Sequence, residues 1–506
     1  MPKYIPIIGM EVHVELNTKS KMFCSCPNNP DETKPNTNIC EICTAQPGTL
    51  PVPNIEAIIS TVKIASALGS TIRELSKFDR KHYFYPDLPK AYQISQYDEP
   101  IGERGGLTLE FEPSTNIRDT AKIGVRRVHL EEDTAKLFHG NTGTLVDFNR
   151  AGTPLVEIVT DPNFMSALEA KTYCQELRTL LKTLGVSDAD MEKGHMRCEA
   201  NISLQIAGTF EIVDGVVRPL KKAVLNPKVE LKNLNSFKAV EKGIEFEIER
   251  QGTMIRNGET WVQQTRGWNE DEEITVLQRV KENAADYRYF PDPDIPPFHP
   301  IKIAGKISLP ELPQAKRKRF REEYGLSAAD ATILSQDKNW ASFTESVMSE
   351  VEEWLEDKKE NKEKRARLVG GWITSKLMGG LIERKMEISD IKFTPENFAE
   401  LISLIYTEKI NSTNAQKILA RMLEHDRNID PTHIMESEGL GQVRDTEALG
   451  KIVDSVINSY PKQVAEFKAG KEPILRFLVG MAMKASEGTA DPKMLEELLK
   501  EKITSL

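Results

Sequence analysis

At 506 residues the chain is too long for one ordinary hydrophobic core, because single cores stop growing at about 250–300 residues, so two or three domains are expected. With 39% apolar and 28% charged residues, its composition excludes a disordered or fibrous chain. A formal net charge of −10 excludes nucleic-acid binding by bulk positive charge and leaves only local basic patches for that purpose.

Met1–Ile8 carries one Lys and two Pro in place of the apolar centre of a signal peptide. No stretch approaches the ~18 uninterrupted apolar residues of a membrane helix. A cytoplasmic location is the expectation.

The first strand is expected over Gly9–Leu16, with Glu11, His13 and Glu15 on one face and Val12, Val14 and Leu16 on the other. A knuckle follows at residues 24–43: Cys24-x-Cys26, thirteen intervening residues, then Cys40-x-x-Cys43. In a cytosolic chain such paired spacing points to metal before disulfide, and four thiolates close a structural tetrahedral zinc site. The alternative is four reduced thiols.

Ser76–Gln96 mixes cations with aromatic rings. Lys77, Arg80, Lys81 and Lys90 are candidates to meet phosphates, while Phe78, Tyr83, Phe84, Tyr85 and Tyr92 can stack on bases or fill a core. An acidic constellation joins Glu11, His13 and Glu15 to His129-Leu-Glu131-Glu132-Asp133, Asp147 and Glu157. Glu157 lies in the apolar strand-like run Pro-Leu-Val-Glu-Ile-Val, where a carboxylate is costly without a cation or metal. Each acid alone reads as a surface or salt-bridged group. Together, carboxylates and an imidazole suit a Mg²⁺ ion that also touches ATP phosphates.

Ser166 and Glu169 form a capping box for a helix that runs to Leu184 and stops at Gly185. Arg197–Ile206 reads as a strand with Cys198, Ala200, Ile202, Leu204 and Ile206 inward, and a second helix starts at Phe237. The first domain is therefore α+β. Three prolines in Asp292–His299 mark its end. The remainder is helical, with amphipathic segments at Ala341–Leu355 and Val369–Ile382 flanking a solvated charge run, Glu356–Arg367. Thr394-Pro395 and Asp491-Pro492 are helix starts. The expected organisation is a mainly antiparallel first domain at 1–293, a helical domain at 294–393 and an all-helical tail at 394–506.

No phosphate loop and no Gly-x-Ser-x-Gly elbow is present, and no histidine stands beside Cys174 or Cys198 in a nucleophile motif. The chain is not expected to hydrolyse amides with its own thiol.

Ordered motifs carry a family resemblance. They are Gly-Met-Glu-Val-His-Val-Glu-Leu from Gly9, Ser-Lys-Phe-Asp-Arg-Lys from Ser76, Tyr-Phe-Tyr-Pro-Asp-Leu-Pro-Lys from Tyr83 and Tyr-Gln-Ile-Ser-Gln from Tyr92. They continue as His-Leu-Glu-Glu-Asp from His129, Asp-Phe-Asn-Arg-Ala-Gly-Thr-Pro-Leu-Val-Glu from Asp147, Arg-Cys-Glu-Ala-Asn-Ile-Ser from Arg197 and Asp-Tyr-Arg-Tyr-Phe-Pro-Asp-Pro-Asp from Asp286. The chain resembles the GatB family, the B subunits of Asp/Glu-tRNA amidotransferases, over nearly its whole length.

The resemblance implies a cradle-shaped, kinase-like first domain, followed by a helical domain and a YqeY-type tail that grip tRNA. It implies phosphorylation by ATP of the side-chain carboxyl of Glu-tRNA(Gln) or Asp-tRNA(Asn), then amidation by ammonia from a glutaminase A subunit. A bacterial-type heterotrimer with A and C subunits is implied, since the short passage at Asp292 leaves no room for the extra domain of the archaeal type. The Mg²⁺ ligands and catalytic residues carried over are His13, Glu132 and Glu157, with Glu11 close by and Lys77, Arg80 and Lys81 as nucleotide-binding cations. Strict alternation instead puts Glu132 with Val128 and Leu130, and Glu131 opposite, unless the strand ends or bulges at Leu130. Cys198-Glu199 departs from the family's Cys-Asp order. The competing reading is a noncatalytic, zinc-stabilised tRNA-binding scaffold, which gains if His13, Glu132 and Glu157 cannot share one ion.

Overall fold

The computed structural model describes residues 3–505 apart from 112–117, 214, 281–285, 356–360, 426, 443–445 and 487. The chain divides into two compact units, Met1–Leu312 and Pro313–Leu506. The first is α+β and the second helical.

Unit one begins with β1 (Tyr4–Glu15), α1 (Ile55–Ala67), β2 (Thr71–Ile72), β3 (Asp79–His82), β4 (Tyr92–Ser95), β5 (Gly102–Glu110) and β6 (Thr120–Glu132). A hairpin, β7 (Lys136–Gly140) and β8 (Gly143–Asp147), leads to β9 (Pro154–Thr160), α2 (Ala167–Thr183) and β10 (Met196–Ile206). A second hairpin, β11 (Phe210–Val213) and β12 (Val216–Pro219), precedes β13 (Val229–Leu234), α3 (Phe237–Arg256), β14 (Gln264–Asn269), β15 (Ile274–Val280) and β16 (Phe290–Pro291).

Nine strands form one sheet in the order β15-β14-β13-β10-β1-β9-β6-β5-β2. Its pairs are antiparallel except β13 with β14. Alternation decides which side is buried. Val12, Val14, Val156, Ile158, Val128, Leu130, Ala200 and Ile202 are buried on the face that packs with Tyr173 and Leu177 of α2 and Val240 and Ile244 of α3. The opposite face is left to polar side chains. A small sheet, β16-β3-β4, runs beside the end of β6.

The helix signals act as expected. Ser166 caps α2 through the Glu169 N–H at 3.1 Å, Gly185 follows with φ +66°, and α3 starts at Phe237, where the structure adds a cap by Ser236 on the Ala239 N–H at 3.0 Å. Such caps contribute about 1 kcal/mol each. The Pro-rich passage does not leave unit one at once: Phe298 exchanges backbone hydrogen bonds with Ser76 and stacks on Phe78.

In unit two, the segment expected at Ala341–Leu355 forms a helix over Lys338–Trp354 with Leu355 as its C-cap, and Thr394 caps the helix Pro395–Tyr406. Its apolar residues gather in two clusters, Phe320 to Leu440 and Leu449 to Ile503. Residues 356–360 of the charge run lie outside the described residues, and Arg365 in the remainder is buried. No described helix is long and apolar enough to cross a membrane.

Ile158 is fully buried beside Glu157 in the centre of the sheet. Ile158→Ala is expected to lower the unfolding free energy of unit one by about 2–5 kcal/mol, read as a lower denaturant midpoint with an unchanged slope.

Candidate active site

The site is set by strand register. His13 of β1 lies opposite Arg197 of β10 on one side and Glu157 of β9 on the other, and Glu157 in turn lies opposite His129 of β6. Directly opposed residues share a face, so Arg197, His13, Glu157 and His129 form one row across four strands. Glu131, two residues beyond His129, joins the same face. His13 Nε2 stands 3.5 Å from Glu157 and 3.8 Å from Glu131. His129 Nε2 stands 3.1 Å and 3.8 Å from the same two carboxylates. The ligand atoms of His13, Glu131 and Glu157 all lie within 4.8 Å of one another.

Arg197, His13, Glu157 and Glu131 floor a cleft of about 510 Å³, walled by Lys81, Tyr83, Tyr287 and Tyr289 and closed by Glu11, Glu199 and Lys232, with His129 buried behind them. Burial works against charge on both imidazoles, but Glu157 and Glu131 outweigh it and hold His13 and His129 above the usual histidine range. Burial also opposes charge on the carboxylates. His129 and His13 nevertheless hold Glu157 well below the usual carboxylate range, and His129 and Lys81 do the same for Glu131. Two ionised carboxylates therefore point into one cleft, with cations arranged around them. The Nδ1 atoms of His13 and His129 are buried without a hydrogen-bond partner.

Glu132 does not join this group. β6 continues to Glu132 without a break at Leu130, and its bulge falls between Val125 and Arg127 instead. Alternation therefore holds, and Glu132 turns to the other side, where its carboxylate accepts the Ile94 N–H at 3.0 Å and pairs with Lys90 at 2.6 Å. Of the set His13, Glu132 and Glu157 taken from the resemblance, the fold brings His13 and Glu157 together and puts Glu131, rather than Glu132, beside them.

The candidate cations also divide. Lys81 faces the cleft, its Nζ 5.2 Å from the Tyr287 ring centre, and Glu131 and Glu157 raise its pKa against the effect of burial. Lys77 is held by Asp79 at 2.8 Å and Asp98 at 2.6 Å. Arg80 is clamped by Asp292 and Asp294, each at 2.8 Å, over the Tyr92 ring. Lys77 and Arg80 line no part of this cleft and act as ties between segments. Glu11 does line it, accepting a hydrogen bond from Asn201 at 3.0 Å, and burial with Glu157 and Glu199 raises its pKa. Asp147 accepts the Asn36 and Asn149 N–H groups and fastens the knuckle instead.

The four cysteine sulfurs Cys24, Cys26, Cys40 and Cys43 also lie within 4.8 Å of one another, with Cys40 and Cys43 Sγ atoms 3.9 Å apart. A tetrahedral zinc with bonds of about 2.3 Å sets sulfurs roughly 3.8 Å apart. The cluster can hold a metal. The Cys40 N–H donates to Cys43 Sγ at 3.2 Å, and the Cys24 thiol, outweighing burial, draws Cys43 down to about 5.

Residues 6–304 match the GatB/GatE catalytic domain, and residues 353–503 match the GatB domain. The chain is 43% identical to the B subunit of the aspartyl/glutamyl-tRNA(Asn/Gln) amidotransferase of Rippkaea orientalis, over 99% of this chain and 98% of that one. It is 42% identical to the protein of the same name in Crocosphaera subtropica, over 98% and 97%, and 41% identical to that of Persephonella marina, over 99% of both. The chain belongs to the GatB family. It is thus one component of a tRNA-dependent amidotransferase, a glutamine-dependent ligase of translation.

Sequence reasoning missed several residues of this GatB cleft. Tyr287 and Tyr289 reach it because the backbone carbonyl of Tyr287 accepts the His82 N–H at 2.9 Å, a pairing between segments some 200 residues apart in the chain. Their only sequence signal was their spacing of two in an extended, Pro-terminated run. Arg127 stands 3.7 Å from Glu157, and Arg197 bonds Asp133 at 2.7 Å. Arg197 could have been found from its place on the polar side of β10.

Glu15 of this GatB chain is buried next to Asp133. Burial and the Asp133 charge push it up to about 8, while Arg197 and Arg150, against burial, hold Asp133 far below the usual carboxylate range. A carboxyl raised on folding contributes stability below its unfolded pKa, and that contribution is lost as pH rises through the folded value. Glu15→Gln removes this loss. The melting temperature of Glu15→Gln relative to the natural chain is expected to rise between pH 5 and 8, by about 2 °C or more, in thermal scans across that range.

Proposed function

We propose that the cleft activates the side-chain carboxyl of glutamate or aspartate esterified to tRNA(Gln) or tRNA(Asn), using ATP, and that ammonia then converts it to the amide. The carboxylate oxygen bonds to the γ-phosphorus as the bond to the ADP oxygen breaks. Ammonia next bonds to the acyl carbon, phosphate leaves, and one proton is released with the amide. The products are Gln-tRNA(Gln) or Asn-tRNA(Asn).

The convergence of His13, Glu131 and Glu157 within 4.8 Å carries this reading. An imidazole nitrogen and two ionised carboxylates fit a Mg²⁺ ion, which would supply charge neutralisation on the transferring phosphoryl group. Glu131 is already oriented by the Ser95 hydroxyl, which donates to it at 2.9 Å. Lys81 is the cleft cation placed to bind the phosphates, held between two acids and two tyrosine rings. His129 is almost wholly buried and keeps Glu157 ionised and oriented from behind. A mere scaffold has no use for two ionised carboxylates held in a cleft at this expense in desolvation.

Cys174 and Cys198 are buried, which supports a division of labour in which a glutaminase A subunit supplies ammonia and a C subunit completes the complex. The four knuckle cysteines hold a structural Zn²⁺, and the helical unit grips tRNA. As a component of the translation apparatus, the chain works in the cytoplasm.

In the reconstituted complex, Glu157→Gln is expected to slow phosphorylation of Glu-tRNA on the order of 10²–10³-fold while tRNA binding persists; normal phosphorylation would remove Glu157 from the mechanism. A Mg²⁺ titration separates the neighbouring acids. Glu131→Gln is expected to raise the half-saturating Mg²⁺ concentration about 10–100-fold, whereas Glu132→Gln leaves it unchanged and lowers the melting temperature. Metal analysis is expected to find one zinc per chain, lost in Cys43→Ser together with thermal stability.

A further inference from the structure

Arg104, Lys122 and Arg126 are exposed cations that form no ion pair among the described residues. The β5–β6 register sets Glu103 against Arg127 and Gly105 against Val125, which leaves Arg104 and Arg126 between the same two rungs. Neighbouring like charges across a strand pair are unfavourable. Arg104 also has φ +58°, a left-handed conformation uncommon outside glycine. Lys122 and Arg126 share a face of β6 with Gly124 between them.

The three cations border a groove of about 570 Å³ that includes Gly105, Gly124 and Gly215. A Cβ on Gly124 or Gly215 would come within 2.1 Å of the Asp161 carboxylate. Among the described residues, the acids facing the groove are Asp161 and Glu103, and Glu103 is paired with Arg73 at 3.3 Å. Among these described residues the cations outnumber the acids.

This groove connects to the catalytic cleft through a middle pocket. That pocket, of about 360 Å³, shares Arg126 and Gly215 with the groove and shares Glu11, Asn201 and Lys228 with the cleft. Its walls include Ile7, Met10, Val159, Pro162, Val217 and Leu225, and its size is in the range that buries a small aromatic ligand. The bulge between Val125 and Arg127 lets Arg126 line the outer groove while Arg127 lines the cleft.

The order along the sheet is therefore acidic cluster, apolar pocket, cations. A nucleoside triphosphate with its terminal phosphate at the cluster ends in its base and has no phosphate beyond it. An aminoacylated RNA runs the other way: acyl group, terminal nucleoside, then successive backbone phosphates. We propose that the polar face of the sheet is the track of the RNA 3′ end, with the terminal nucleoside in the middle pocket and the next phosphates on Arg104, Arg126 and Lys122. This rests on the function proposed above and assigns the substrate's RNA portion to named residues.

The test is steady-state kinetics of the complete amidotransferase carrying Arg104→Ala with Arg126→Ala. The expected result is a KM for aminoacyl-tRNA raised about 10-fold or more, a KM for ATP unchanged, and a salt dependence of tRNA binding reduced by a slope of about 1.4 for two lost phosphate contacts. Lysine at both positions should restore most of the affinity. A rise in the KM for ATP instead would make the groove a nucleotide site and overturn the proposal, as would no change in either constant with an unaltered melting temperature. Failure of the two readings is distinguishable: an inactive Glu157→Gln beside a double variant with natural tRNA affinity overturns only the track, whereas an active Glu157→Gln overturns the catalytic assignment.

Discussion

The site depends on one constraint, the antiparallel register that sets His13 against Glu157 and Glu157 against His129. A buried carboxylate is costly without compensation, and here each of two carboxylates meets two imidazoles within 3.8 Å. A slip of one residue in β9 would turn Glu157 into the core and Val156 or Ile158 into the cleft. The fully buried residues on either side, Val156 and Ile158, fix that register by filling the core over α2 and α3. Packing on one face of the sheet thus positions chemistry on the other.

The same two-sidedness explains why adjacent acids have different tasks. Glu131 faces the cleft, while Glu132 anchors β4 through Ile94 and Lys90. β4 in turn sends Ser95 back to Glu131 at 2.9 Å, so the acid buried on the packed side fixes the strand that orients its neighbour. Lys77 and Arg80 belong to this support. They tie β3 to Asp98, Asp292 and Asp294, which keeps Lys81 on the cleft side.

Much of the fold was legible in the sequence because it is written locally. The alternation of Glu11, His13 and Glu15 with Val12, Val14 and Leu16 gave the faces of β1, and Ser166 and Thr394 gave helix starts that the structure caps as expected. The cysteine spacing gave four sulfurs that meet. Alternation also favoured Glu131 over Glu132, and it was the residue-by-residue resemblance that pointed the other way. What could not be read was cross-strand register between distant segments. The approach of Tyr287 and Tyr289 to Lys81 and the capture of Arg80 by Asp292 depend on pairing β16 with β3, and no local pattern encodes that pairing. Unit two was legible as helices because its caps and apolar spacing are local too.

The central claim is that His13, Glu131 and Glu157 share one divalent ion. Pulsed electron paramagnetic resonance of the complete complex with ATP and Mn²⁺, a paramagnetic substitute for Mg²⁺, tests it directly. The account predicts a nitrogen coupling from one directly bound imidazole that disappears in His13→Gln and survives Glu132→Gln. A Mn²⁺ centre with no imidazole coupling, or one whose coupling persists in His13→Gln, would contradict it.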